Sequence, residues 1–250
     1  AIGYNSMYNF NNSYNATQIM RYNTALGAET LYNLSNDRYL GGQYNVAIGG
    51  KAGYNVKTTL GSVYVGYSTG PQSDTNKNGG GDYSVFIGYE SGKNSYNTAN
   101  YSGHNIALGF RSLYTMQSSG THNLMLGSYT GYNPGSNAFN KNVFVGGRTS
   151  SSIEGALGSI ENCITLGVDA KPPGSNKIQL GNDKITNINS SGTLTLGEIT
   201  YPNQDATFSG SFLLTDKSGM IRWSEYAVAP ILTHVDVSYN ELKLTFSQDL

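Results

Sequence analysis

Apolar residues come in short runs along this chain, three positions at a time, each opened by a small polar residue and closed by glycine. Asn105-Ile106-Ala107-Leu108-Gly109 has that form, as do the five residues from Asn23, Asn45, Asn123 and Asn142. Ser62-Val63-Tyr64-Val65-Gly66, Ser84-Val85-Phe86-Ile87-Gly88 and Cys163-Ile164-Thr165-Leu166-Gly167 keep the frame with another small residue in the first place. From Gly3 the closing glycines fall at 27, 49, 66, 88, 109, 127, 146, 167 and 181. A fixed motif separated by elastic gaps predicts one recurring strand with variable loops, the signature of a parallel solenoid. A second half-motif follows each glycine, as in Ala52-Gly53-Tyr54-Asn55 and Thr30-Leu31-Tyr32-Asn33. Each unit is therefore expected to hold two short strands and two turns.

Alternate residues of a strand face opposite sides. Ile106 and Leu108 then share one face with Val46 and Ile48, Val63 and Val65, Val85 and Ile87, and Val143 and Val145. That face is assigned to the interior of the roll. The other face carries Ala25, Ala47, Tyr64, Phe86, Ala107, Met125, Phe144 and Thr165 at its centre, too apolar for water. A strand apolar on both faces is buried on both, and a thin roll buries little surface by itself. The expected cover is another copy of the chain, with three chains about one axis. Ala47, Ile48, Val65, Phe86, Ile87, Ala107, Leu108, Met125, Leu126, Phe144, Val145 and Leu166 are the expected roll and trimer core. Stacked at about 4.8 Å per coil, the repeats would make a rod on the order of 45 Å long.

Composition agrees with turns and strands. The chain has 250 residues with 32 glycines, 20 tyrosines and 28 asparagines, types that suit tight corners and half-wet sheet faces. A formal charge of −1 argues against nucleic acid, which calls for a basic stripe. No run of 18 apolar residues suggests membrane insertion. The opening Ala1-Ile2-Gly3 reads as the tail of a repeat, so a piece of something longer is expected. The one cysteine, Cys163, occupies the Asn slot and reads as a small packed residue.

The repeats are expected to span residues 1–170. Lys171-Pro172-Pro173-Gly174 punctuates the chain, because paired prolines do not sit within a sheet. A β-rich neck is read over 171–225, with a hairpin turning at Asp216 to Gly219. A linker at 226–230 precedes the start of a β-sandwich at 231–250.

The Asn-x-Ala-aliphatic-Gly-x-x-small repeat, clearest in Asn45 to Gly53 and Asn105 to Leu113, resembles the head repeats of YadA-like trimeric autotransporter adhesins. It is similar also to repeats of phage and large-virus tail fibres. The resemblance covers residues 1–170 and implies a left-handed parallel β-roll, trimeric, extracellular, on a virion or a bacterial cell. The units here are longer than the compact adhesin repeat. Residues 192–223 look like the region after such repeats in tail-fibre-like proteins, and residues 242–250 look like the start of an Ig-like repeat.

Several motifs invite chemistry. Gly66-Tyr67-Ser68-Thr69-Gly70 matches a nucleophile elbow, but Gly88-Tyr89-Glu90-Ser91-Gly92 fills the same repeat slot without the serine, so repeat grammar accounts for it. Asp74-Thr75-Asn76-Lys77-Asn78-Gly79 matches half a calcium loop, with Val85 where a bidentate glutamate belongs. His104 and His122 lie one coil apart without further patterned ligands and read as rim residues. Asn23, Asn45, Asn105, Asn123 and Asn142 read as a ladder bonding neighbouring coils; turned instead to a threefold axis, their amides could hold a water or an anion. The Tyr-Asn pairs and the inserts at 8–22 and 71–82 offer groups of the kind receptor-binding surfaces use.

These readings converge on a structural and adhesive fibre segment. It is expected to be a homotrimer without catalysis, metal or cofactor, attaching to a host glycan or protein receptor. The rivals are a polysaccharide-acting tailspike enzyme, which calls for paired carboxylates in a groove, and a purely structural spacer. An ice-binding solenoid is disfavoured by the lack of a regular Thr-x-Thr array.

Overall fold

A computed structural model describes residues 1–9, 21–35, 42–71, 81–94, 103–115, 120–132, 139–149, 160–172, 174–189, 191, 194–196, 199–201, 213–215, 221–223, 232–238 and 241–246. The inserts at 10–20 and 72–80, with the calcium-like motif, lie outside the described residues. The chain divides into two units, residues 1–185 and 186–250.

The first unit is a parallel β-solenoid. Its strands are β1 (Thr24–Leu26), β2 (Val46–Ile48), β3 (Val63–Val65), β4 (Val85–Ile87), β5 (Ile106–Leu108), β6 (Leu124–Leu126), β7 (Phe139–Asn140), β8 (Val143–Val145), β9 (Ile160–Glu161), β10 (Ile164–Leu166) and β11 (Ile178–Leu180). Nine of them form one sheet in the order β1-β2-β3-β4-β5-β6-β8-β10-β11, all parallel and in register. β7 and β9 form a separate parallel pair. The sheet continues through β11, past the proline break at which the repeats were expected to end.

Only the first half-motif of each repeat forms the main sheet. The second half, expected as another strand, is turn. The reason lies in the backbone. Each coil bends at non-glycine residues in the left-handed region: before the small polar slot (Tyr44, His104, His122), two residues after the closing glycine (Lys51, Glu90, Arg111), and again two further on (Leu31, Leu113). A chain bent that often cannot extend into a second strand.

The strand faces are reversed relative to the sequence reading. In β1 through β10 of the main sheet the central residue is buried and both flanking aliphatics are exposed or half-buried. Of the expected core, Ala47, Phe86, Ala107, Met125 and Phe144 are inside, while Ile48, Val65, Ile87, Leu108, Leu126, Val145 and Leu166 face outward. The opposite wall completes the interior with Leu31, Leu34, Val56, Leu113, Phe139 and Ile160.

In three coils a large central residue is matched by a small one across the interior: six positions after Tyr64, Phe86 and Met125 the residue is glycine. A Cβ on Gly70 would lie 2.4 Å from the Tyr64 ring, one on Gly92 2.4 Å from the Phe86 ring, and one on Gly131 3.0 Å from the Met125 sulfur. At Ala25 and Ala107 the partner is Leu31 or Leu113, held at φ 47° and 50°, whereas at Ala47 it is Gly53, whose space is taken by Leu31, Val56 and Tyr64.

In the second unit β12 (Leu194–Leu196) pairs antiparallel with β13 (Ile199–Tyr201), β14 (Leu213–Thr215) with β15 (Ile221–Trp223), and β16 (Leu232–Ser238) with β17 (Glu241–Phe246). β14 and β15 flank the turn expected at Asp216 to Gly219, which itself lies outside the described residues.

Candidate docking face and its margins

The outward residues of the main sheet form two columns. One runs from Thr24 through Val85 and Ile106 to Ile178; the other runs from Leu26 through Ile87 and Leu108 to Leu180. Every member except Thr24 is Val, Ile or Leu, and none is charged. Ile48, Ile106 and Leu166 remain 38%, 39% and 38% exposed. Exposed apolar patches of a few hundred Å² mark interaction sites. Strand spacing and rise make this one roughly 40 Å by 10 Å.

The corner beside the second column consists of backbone. The closing glycines adopt φ between 114° and 135° from Gly3 to Gly167, and a Cβ on Gly109 would sit 2.4 Å from the Gly127 carbonyl oxygen. Only glycine permits this conformation at such close approach. Beyond it the next residues form an aromatic margin, Tyr67, Tyr89 and Phe110, stacked at 5.4 and 5.3 Å. The other margin holds Tyr22 on Tyr44 at 5.0 Å and Tyr83, His104 and His122 in one stack at 5.4 and 4.8 Å. His104 and His122 are thus rim residues, in contact through their ring faces.

The asparagine column is inside the coil. Asn45, Asn105, Asn123 and Asn142 are buried and Asn23 is half-buried. Each Oδ1 accepts the backbone N–H of the corresponding slot one coil on: Asn45 to Asn23 at 2.9 Å, Ser62 to Asn45 at 2.9 Å, Asn123 to Asn105 at 3.1 Å, Asn142 to Asn123 at 3.1 Å, and Cys163 to Asn142 at 2.9 Å. Where serine replaces asparagine the hydroxyl of Ser62 or Ser84 accepts instead, at 3.2 Å. The slot follows a left-handed corner, and a small acceptor there satisfies the next coil's buried donor. Each Nδ2 donates to a backbone carbonyl, as Asn123 does to Phe139 of β7 at 2.6 Å. The axial alternative, amides turned to a threefold axis, is corrected by this geometry. Cys163, buried in the same column, packs 3.5 Å from the Thr165 hydroxyl.

Charges pair between coils. Glu90 is 5% exposed and accepts from Lys93 at 2.6 Å and from Arg111 at 2.7 Å. Burial opposes ionisation of Glu90, but those two cations overrule it and hold the carboxyl below the usual carboxylate range. Arg148 grips Asp169 with two bonds of 2.6 and 2.8 Å, lowering its carboxyl in turn. Burial raises the Asp82 carboxyl against the opposing pull of the Leu60 N–H and of His104. Burial also pushes the Tyr64 phenol up to about 12; its hydroxyl lies 3.1 Å from that of Thr59.

The other motifs resolve into architecture. Ser68 of the elbow-like sequence is a buried corner residue at φ 55° with strand and turn around it. A shallow cavity of about 480 Å³ lies at the β11 end, lined by Asp169, Lys171, Pro172, Gln179, Gly181, Asn182 and Asp183. Among the described residues no group of three or more His, Cys, Asp or Glu is placed to hold a metal ion, and no helix is long and apolar enough to cross a membrane. The fold defines a class, the parallel β-solenoids with internal polar ladders. No family model, curated protein or solved structure matches the chain.

Proposed function

We propose that the chain is a non-enzymatic fibre segment that assembles as a homotrimer through the outer face of its main sheet. The observation that carries this is the pair of outward aliphatic columns, uncharged over nine strands. Water is a poor partner for such a face, and a second copy offers the same uncharged geometry. The face, on the order of 400 Å² before its aromatic margins are added, is about half of the roughly 800 Å² per partner of a standard interface. The role is extracellular, on a virion or bacterial surface: a stiff rod that holds weak receptor-binding sites in three copies and gains avidity through effective concentration.

The spacer reading is favoured at the margins by one observation. Tyr67, Tyr89 and Phe110 stack on one another, so they offer ring edges, whereas aromatic stacking on a sugar or a base needs a ring face. Attachment to a host glycan or protein is therefore assigned to the inserts within 8–22 and 71–82. Arraying the intact protein on immobilised glycans and host-cell extracts tests this. Binding that disappears when 72–80 or 10–20 is shortened supports attachment through the inserts, binding that is unchanged moves attachment elsewhere on the chain, and no binding leaves the spacer role.

A further inference from the structure

A second aromatic column lies five residues after each closing glycine, beyond the two left-handed bends that separate it from the outer sheet face. It reads Tyr8, Tyr32, Tyr54, Pro71, Lys93, Tyr114 and Tyr132. Tyr8 stacks on Tyr32 at 5.3 Å and 16°, Tyr32 on Tyr54 at 4.8 Å and 16°, and Tyr114 on Tyr132 at 5.2 Å and 21°. The asparagines that follow lock this register. Asn9 donates to Asn33 at 2.7 Å and Asn33 to Asn55 at 2.6 Å, while the backbone N–H of Asn33 bonds the Tyr54 carbonyl at 3.0 Å. Tyr8 is 64% exposed, and Tyr32 and Tyr54 are half-buried.

From this geometry we infer that the Tyr-Asn column is a modification site at which peroxide-driven oxidation couples tyrosines of neighbouring coils. Each phenol gives up one electron and one proton. The two tyrosyl radicals join through their ortho carbons, forming one C–C bond between Cε atoms, and each ortho hydrogen then moves to its phenolic oxygen to restore the ring. The two electrons and two protons reduce one hydrogen peroxide to two waters. Stacking at 4.8–5.3 Å keeps the rings of adjacent coils neighbours, so two radicals formed there meet within the folded chain rather than by diffusion. Burial and the neighbouring Tyr54 and Tyr8 phenols push the Tyr32 phenol up; like any phenol it is protonated at neutral pH, so its oxidation releases a proton. The bond would staple coils that are 24 and 22 residues apart in the chain. Closing such loops covalently constrains the unfolded chain as a disulfide does. Tyr64, stacked on Phe86 inside the coil, has no phenol partner there.

The test treats the dilute full chain with hydrogen peroxide and a haem peroxidase, then reads dityrosine fluorescence and maps peptides by mass. The expected products are intrachain links of Tyr32 to Tyr8 or Tyr54 and of Tyr114 to Tyr132, each two hydrogens lighter than its parts. Tyr32→Phe keeps the stack, and its circular dichroism should match the parent; it should abolish the first set of links and leave the second. A Tyr32 link that forms equally in urea-unfolded chain, or its absence from the folded parent, overturns the inference.

Discussion

Leu113 sits at φ 50° opposite Ala107, whereas one coil on the same two places hold Gly131 and Met125. If coil volume is the conserved quantity, copying the second arrangement into the first should restore what either change alone destroys. Leu113→Gly removes a fully buried side chain and should cost about 2–5 kcal/mol, as large-to-small core changes do. Relief of the left-handed strain, about 1–2 kcal/mol, offsets part of that. Ala107→Met alone overfills the same space and should cost about 1–3 kcal/mol. The double variant should lie within about 1.5 kcal/mol of the parent, as volume-conserving exchanges do. The coupling is then on the order of 2–3 kcal/mol, at the upper end for neighbouring residues. Urea denaturation followed by circular dichroism measures all four corners of the cycle. Additive losses would refute the reasoning, because they would mean that the two side chains do not share one space.

The corner glycines should be irreplaceable for a steric reason. Gly109→Ala, whose Cβ would meet the next coil's backbone at 2.4 Å, should lower the denaturation midpoint much more than Gly174→Ala, which has φ +116° but nothing within 4 Å. Equal losses, each the 1–3 kcal/mol of backbone strain alone, would remove close approach as the cause. Asn123→Ala strands the Asn142 N–H and the Phe139 carbonyl and should cost about 2–4 kcal/mol, against the 1–3 of one unsatisfied buried group; a loss under half a kcal/mol in the same assay would contradict the ladder. Glu90 has a depressed carboxyl in the folded state, so its stabilisation is complete above the unfolded-state value near 4.3 and is lost as pH falls through the folded one. In an acid titration Glu90→Gln should therefore show a smaller stability loss than the parent over that window; an equal loss would contradict the assignment.

The strand triplets, the closing glycines and the solenoid class were legible because a repeated frame and glycine punctuation are local signals. The side facing inward was not. In Ile106-Ala107-Leu108 both parities are apolar, and parity alone cannot choose between them. The deciding signal was nonetheless present: Tyr64 with Gly70, Phe86 with Gly92 and Met125 with Gly131, against Ala25 with Leu31 and Ala107 with Leu113. In these five pairs size is exchanged between residues six apart; Ala47 with Gly53 does not follow it, because Leu31, Val56 and Tyr64 fill that space. Likewise, Asn, Ser and Cys alternate in one slot because each is small, and Asn and Ser supply the acceptor that a buried N–H on the next coil requires. The left-handed corners at Tyr44 and Arg111 had no such signal, since these side chains disfavour that region and adopt it only because the stacked coils fix it.

Whether other copies of the chain cover the outer aliphatic face is read from the solution mass by light scattering. The account predicts three times the 26.8 kDa chain mass for the parent protein. It also predicts a folded single chain for Ile106→Glu with Leu108→Glu, since both side chains lie outside the coil interior. A parent protein that stays at the mass of one chain would contradict it.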